Sequence, residues 1–92
     1  MYYTYLLSSE TDHHWYIGYT EDPFRRIEDH NSGKNISTRH GRPWKLIYFE
    51  AYLDKRDALG RERFLKSGSG HRFLKKQLFH YFEKIIGADR SS

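Results

Sequence analysis

Cysteine is absent from the 92-residue chain. Disulfides and thiolate-bound metals are therefore excluded, and the composition fits a reducing compartment. Long apolar runs are absent too. Nothing approaches the length of a membrane span, and the N-terminus carries no signal-peptide pattern. A soluble, cytoplasmic protein without membrane contact is expected. No internal repeat is present, and the length suits one domain. The six histidines do not form a zinc set. His13 and His14 are adjacent in a polar connection, while His71 and His80 lie nine apart in or beside a late helix.

What the chain does have is aromatic side chains: eight Tyr, six Phe and two Trp. A mean hydropathy of -0.93 with 30% charged residues would alone suggest disorder. Aromatic content of this kind argues against it. A short chain buries a modest share of its surface, so the core must be compact and aromatic-rich. The formal charge of +4 favours a polyanionic partner, because Lys and Arg that neutralise phosphates release counterions. A solvated cationic surface is the plainer reading of the same number.

Residues 2–7 are rich in β-formers and predict a strand. Ser8 to His14 is a polar connection, and Trp15 to Thr20 a second strand that forms a hairpin with the first. Asp22 and Pro23 suit the N-cap and first position of a helix. Phe24, Ile27 and Asn31 share its stripe, and Gly33 ends it. Residues 32–43 read as a structureless loop, and such a loop in a small domain tends to be functional. Trp44 to Tyr52 predicts a third strand with apolar groups on both faces: Trp44, Leu46 and Tyr48 on one, Ile47, Phe49 and Ala51 on the other. That pattern predicts the central strand. Asp54 caps a second helix that runs to about Lys66, and Ser67 to Gly70 breaks the chain. Leu74, Leu78, Tyr81, Phe82 and Ile85 then line a third helix. The expected order is β-β-α-β-α-α, a small α+β domain over residues 1–86 with a flexible tail over 87–92.

Several side chains suit work on a phosphodiester, which needs an activated water and stabilised phosphoryl oxygens. Arg26 and His30 are four apart on a helix and share a face. Arg26 can grip two phosphate oxygens through its planar fork. Outside this context the pair would be surface residues near a helix C-terminus. Tyr5 and Tyr16 project from paired strands, and a phenol becomes a base only where a cation depresses its pKa. Each is equally suited to a core position with its hydroxyl at the surface. Gly18 marks a close approach in mid-strand, by the first helix or by a nucleic-acid backbone. Glu62 shares a stripe with Ala58 and Leu65, or pairs with Lys66 at the surface. One carboxylate suits Mg²⁺, which keeps several waters. Lys34, Arg39, Arg42, Lys45, Lys66 and Arg72 are the candidate phosphate track.

The order of these residues resembles the GIY-YIG endonuclease family, in particular its small single-domain bacterial members. Tyr16-Ile17-Gly18 matches the second half of the family's name, and Tyr3-Thr4-Tyr5 keeps the final Tyr of the first half. Arg26, His30 and Glu62 follow in the family's order, and the likeness runs from residue 2 to about 76. The resemblance implies a three-stranded antiparallel sheet flanked by helices. It implies an endonuclease acting on DNA with one Mg²⁺ or Mn²⁺ ion held by Glu62. Tyr5 would help deprotonate water, Tyr16 and His30 would position or relay protons, and Arg26 would stabilise phosphoryl charge. Two places depart from the family pattern. No Asn follows Asn35, and Tyr19 stands where the repair-nuclease branch has Lys. A nucleic-acid-binding module with weak or lost cleavage is the second reading, and a protein-interaction domain the third. A targeting partner protein would direct a bare catalytic core of this kind.

Overall fold

The computed structural model describes residues 1–91, with side chains described through residue 86. Strands β1 (Tyr2–Ser9), β2 (Trp15–Thr20) and β3 (Trp44–Tyr52) form one antiparallel sheet in the order β2-β1-β3. The central strand is thus β1, buried continuously from Thr4 to Ser9, and not β3. The two-faced apolar pattern of β3 has another cause. Leu6 pairs with Tyr48 but Leu7 pairs with Leu46, so Ile47 is an extra residue at a bulge. The alternation shifts there. Ile47 and Tyr48 both pack beside Leu6, while Leu46 packs with Trp44 beside Tyr5 and Leu7.

Helices pack on both faces of the sheet. α1 (Pro23–Asn31) starts as its sequence dictates, with Asp22 accepting from the Arg25 amide at 3.1 Å. It lies over the face that carries Tyr5, Leu7 and Trp44. Its inner stripe is Pro23, Ile27 and His30, and Phe24 is 64% exposed rather than buried. α2 (Lys55–Leu65) and α3 (Gly68–Gln77) cover the opposite face, where Leu65 and Leu74 close on Leu6 and Ile17. Thr4 ties the central strand to this layer by donating to the Ala58 carbonyl at 2.6 Å. α4 (Phe79–Ser91) follows.

The chain breaks between α2 and α3 as expected, but only over Lys66 and Ser67, and Gly68 to Gly70 already belong to α3. The Ser67 hydroxyl caps the Gly70 amide at 3.1 Å. Gly70 is needed because its backbone presses on α2: a Cβ there would lie 2.0 Å from the Phe64 carbonyl oxygen. A second interruption falls at Leu78, which separates α3 from α4, so the expected third helix is two. The segment 32–43 is not structureless either. Gly33 leaves α1 with a φ of 83°, and Ile36–Gly41 form a 3-10 helix with Thr38 buried. The tail expected over 87–92 lies outside the residues whose side chains are described. No helix among the described residues is long and apolar enough to cross a membrane.

Candidate active site

Strand register sets two phenols under α1. Tyr5 pairs with Gly18 and Tyr16 with Leu7, so the rings sit diagonally across neighbouring strands, their centroids 6.2 Å apart. Gly18 makes room for the Tyr5 ring: a Cβ there would lie 2.5 Å from the phenol oxygen. The close approach at this glycine therefore comes from a side chain of the adjacent strand, not from the first helix.

His30 descends from α1 onto both rings and is fully buried. Its Nε2 lies 3.0 Å from the Tyr5 hydroxyl and its Nδ1 2.7 Å from Thr38 Oγ1. Its ring centroid is 4.8 Å from that of Tyr16. The Thr38 hydroxyl donates onward to the Asn35 carbonyl at 3.4 Å. In the tautomer compatible with that donation, Nδ1–H donates to Thr38 and Nε2 accepts the Tyr5 proton. The result is a directed chain from phenol to imidazole to hydroxyl to backbone.

Arg26 lies against the same phenol from one turn earlier. Burial pushes the Tyr5 pKa up to about 12, Arg26 pulls against it, and Tyr16 and Glu62 add to the rise. The expected lowering by Arg26 is thus present but outweighed by burial. Tyr5 in return holds the Arg26 proton more firmly than usual. Burial, then the Arg26 charge, lowers the His30 pKa below 6.5 and keeps the imidazole neutral at pH 7. Arg26 Nε is buried with no hydrogen-bond partner among the described residues. An unpaired buried donor is costly, and here it marks a place for an acceptor oxygen. Arg26, Asp29, His30, Lys34, Asn35 and Ile36 line a cleft between α1 and the 3-10 turn.

Glu62 comes from the other layer. It is near enough to add its charge to the Tyr5 environment, but it makes no hydrogen bond to the four residues above. Both readings of its sequence position are realised at once. Ala58 and Leu65 beside it are buried, and its Oε2 accepts from Lys66 Nζ at 3.0 Å. The carboxylate is 20% exposed and its Oε1 has no bonded partner among the described residues. This donor fits a hard divalent cation that takes one carboxylate and keeps its waters, with the half-exposed Lys66 ammonium displaced. Among the described residues no three of His, Asp and Glu gather in one place.

The six expected phosphate contacts do not form one track. Lys34, paired with Asp29 at 3.4 Å, stands beside the cleft. Arg39 and Arg42 lie nearby, anchored through Nε to the carbonyls of Gly33 and Arg39 at 3.3 and 2.8 Å, with their outer nitrogens exposed. Lys45 leans the other way, over the Tyr81 ring of α4 at 5.8 Å. Lys66 is held by Glu62, and Arg72 donates to Ser69 on α3 at 3.0 Å. Tyr19 lies on the face away from Tyr5, stacked on Tyr2 and under Lys55, so Arg26 is the cation that touches the Tyr5 phenol.

Three contributors carry no signal in the sequence. Thr38 holds the back of His30. Asn31 clamps the start of β3, accepting from the Trp44 amide at 2.6 Å and donating to its carbonyl at 3.0 Å. Trp44 in turn donates from its indole to the Thr38 carbonyl at 2.6 Å, fastening the 3-10 turn.

The GIY-YIG catalytic domain model matches residues 1–77. The chain belongs to the GIY-YIG family. It is 39% identical to a UPF0213 protein of Streptococcus pneumoniae serotype 4, over 92% of this chain and 93% of that one. It is 41% identical to the UPF0213 protein YazA of Bacillus subtilis over 60% and 57% of the two chains. A UPF0213 protein of Haloquadratum walsbyi is 38% identical over 71% and 73%. The GIY-YIG domain is a nuclease domain, so nucleic acid is its substrate class. The match ends at Gln77, the last residue of α3, so α4 lies beyond the matched residues.

Proposed function

We propose that this GIY-YIG protein is a divalent-metal-dependent endonuclease of DNA, working in the cytoplasm. The observation that carries the reading is the Tyr5 hydroxyl 3.0 Å from the neutral His30 Nε2, with Arg26 against the same oxygen. A buried phenol with a pKa near 12 is a poor base by itself. Coupled to His30 it need not hold a charge. As Tyr5 takes a proton from the attacking water, its own proton passes to Nε2. Thr38 keeps the imidazole turned to receive it. The Arg26 guanidinium faces the phosphoryl oxygens, where charge grows during attack. Tyr16, packed on the imidazole, holds the water and ring in register. Glu62 would hold one Mg²⁺ or Mn²⁺ ion. Such an ion, when bound, supplies Lewis-acid stabilisation of the departing oxygen. Lys34, Arg39 and Arg42 bind flanking phosphates, and a separate protein supplies targeting.

The test is nicking of supercoiled plasmid with Mg²⁺ or Mn²⁺ by wild type, Glu62→Ala and Arg26→Ala. Wild type should nick, and each variant should lose on the order of a hundredfold or more in rate. Undiminished cleavage by Glu62→Ala would remove Glu62 as the metal ligand. The high Tyr5 pKa and the Glu62–Lys66 pair favour a second reading, a binding module with weak cleavage. Salt-sensitive DNA binding without nicking by wild type would select it.

A further inference from the structure

Beside the cleft, on the same sheet face, three aromatic rings remain unburied by the fold. Tyr3 stands two residues before Tyr5 on β1, so its side chain projects from the same face of the sheet. Phe49 of β3 meets Tyr3 edge to face, with centroids 5.8 Å apart and planes at 68°. Phe24 of α1 meets Phe49 in the same way, at 5.8 Å and 78°. Phe24 is 64% exposed and Phe49 41% exposed. The trio therefore bridges β1, β3 and α1, the helix that carries Arg26. Each edge-to-face contact covers one face of one ring only, so the two contacts leave ring faces of the trio open. Neither Phe24 nor Phe49 belongs to the two buried clusters of the core.

Resting on the nuclease reading above, the geometry points to a base-stacking platform. Tyr3, Phe24 and Phe49 receive unpaired bases of the strand whose phosphate lies at Arg26, making single-stranded or branched nucleic acid the favoured substrate. Two features select this occupant. The platform is continuous with the site, since Tyr3 neighbours Tyr5 along one strand face and Phe24 precedes Arg26 by two residues. Its charge is also right. Arg25, exposed next to Phe24, has no ion-pair partner among the described residues and is available to a phosphate. Stacking on aromatic side chains needs a π-face and no particular base, whereas the bases of an intact duplex are already stacked on each other.

The experiment measures binding of fluorescein-labelled oligothymidylate, the same backbone built from abasic sites, and a duplex of equal length. EDTA is present so that binding is read without cleavage. Wild type should bind oligothymidylate more tightly than the abasic chain. Phe24→Ala and Phe49→Ala should each lose on the order of ten- to a hundredfold for oligothymidylate. Their affinity for the duplex should stay unchanged. Phe24→Trp should retain the wild-type preference. Phe24 sits on an exposed helix position, so its variants test the idea even if Phe49→Ala unfolds. Equal binding of the abasic and intact strands by wild type overturns the platform, as does Phe24→Ala binding like wild type. Binding of no nucleic acid overturns it as well, as does self-association of the wild type that these variants abolish. Plasmid nicking scores the nuclease reading separately. Nicking without base-dependent binding sinks only the platform, and base-dependent binding without nicking sinks only the nuclease.

Discussion

His30 is an imidazole locked at both ends inside the protein, and its protonation is tied to folding. Its folded pKa lies below the ordinary 6.5 because burial and the Arg26 charge oppose a second proton. As pH falls from 7 toward 5, the unfolded chain takes up that proton first. The unfolded state then binds more protons, and stability must decline with falling pH. Thermal melts across that range should show Tm dropping, and His30→Gln should flatten the slope. An unchanged slope in that variant would mean His30 is not the group responsible. Tyr5 acts at the other extreme. Its pKa is about 12 in the fold against an ordinary 10, so the stability it contributes is complete below pH 10 and is lost as pH rises toward 12. The two groups thus favour the same uncharged arrangement, in which phenol donates and imidazole accepts.

At the scale of elements, the packing of α3 on α2 depends on one missing methyl. Gly70→Ala would drive a Cβ into the Phe64 carbonyl and the Leu65 backbone, which cannot rotate away. Overpacking of this kind costs roughly 1–3 kcal/mol or more, a drop in Tm on the order of 10 °C. Gly60→Ala, in mid-helix with only the Arg63 side chain near, should hold or raise stability in the same melt. How far each element could be read beforehand follows from how local its cause is. The starts of α1 and α2 are legible because Asp22 and Asp54 cap amides within three residues. Gly70 is misleading because helix propensity counts against it, while its reason is a contact with another helix. The place of β3 in the sheet is equally illegible, since the bulge at Ile47 exists only in its pairing with β1. The same distinction runs through the site. Tyr5, Tyr16, Arg26 and His30 carry a motif spacing and are brought together. Thr38 sits in a stretch with no hydrophobic period, and its bond to His30 is made only when the 3-10 turn folds back.

At the scale of the whole molecule, charge is sorted by layer. Lys34, Arg39 and Arg42 flank the cleft, while Lys45 of β3 leans toward α4 and Arg72 sits on α3. Affinity for duplex DNA should fall linearly with salt on logarithmic axes, with a slope near -0.9 for each phosphate contact. Arg39→Ala and Arg42→Ala should each reduce that slope by about 0.9, and Arg72→Ala should leave it unchanged. Equal losses from all three would place the nucleic acid across both layers. The short 3-10 helix gives this arrangement a mechanical side. It holds Thr38 at its middle, Arg39 one residue later and Arg42 just past its end. On the proposed reading, a polyanion held by those guanidinium heads would load the same coil that keeps the imidazole upright, so grip on the strand and readiness for proton transfer would be geared together.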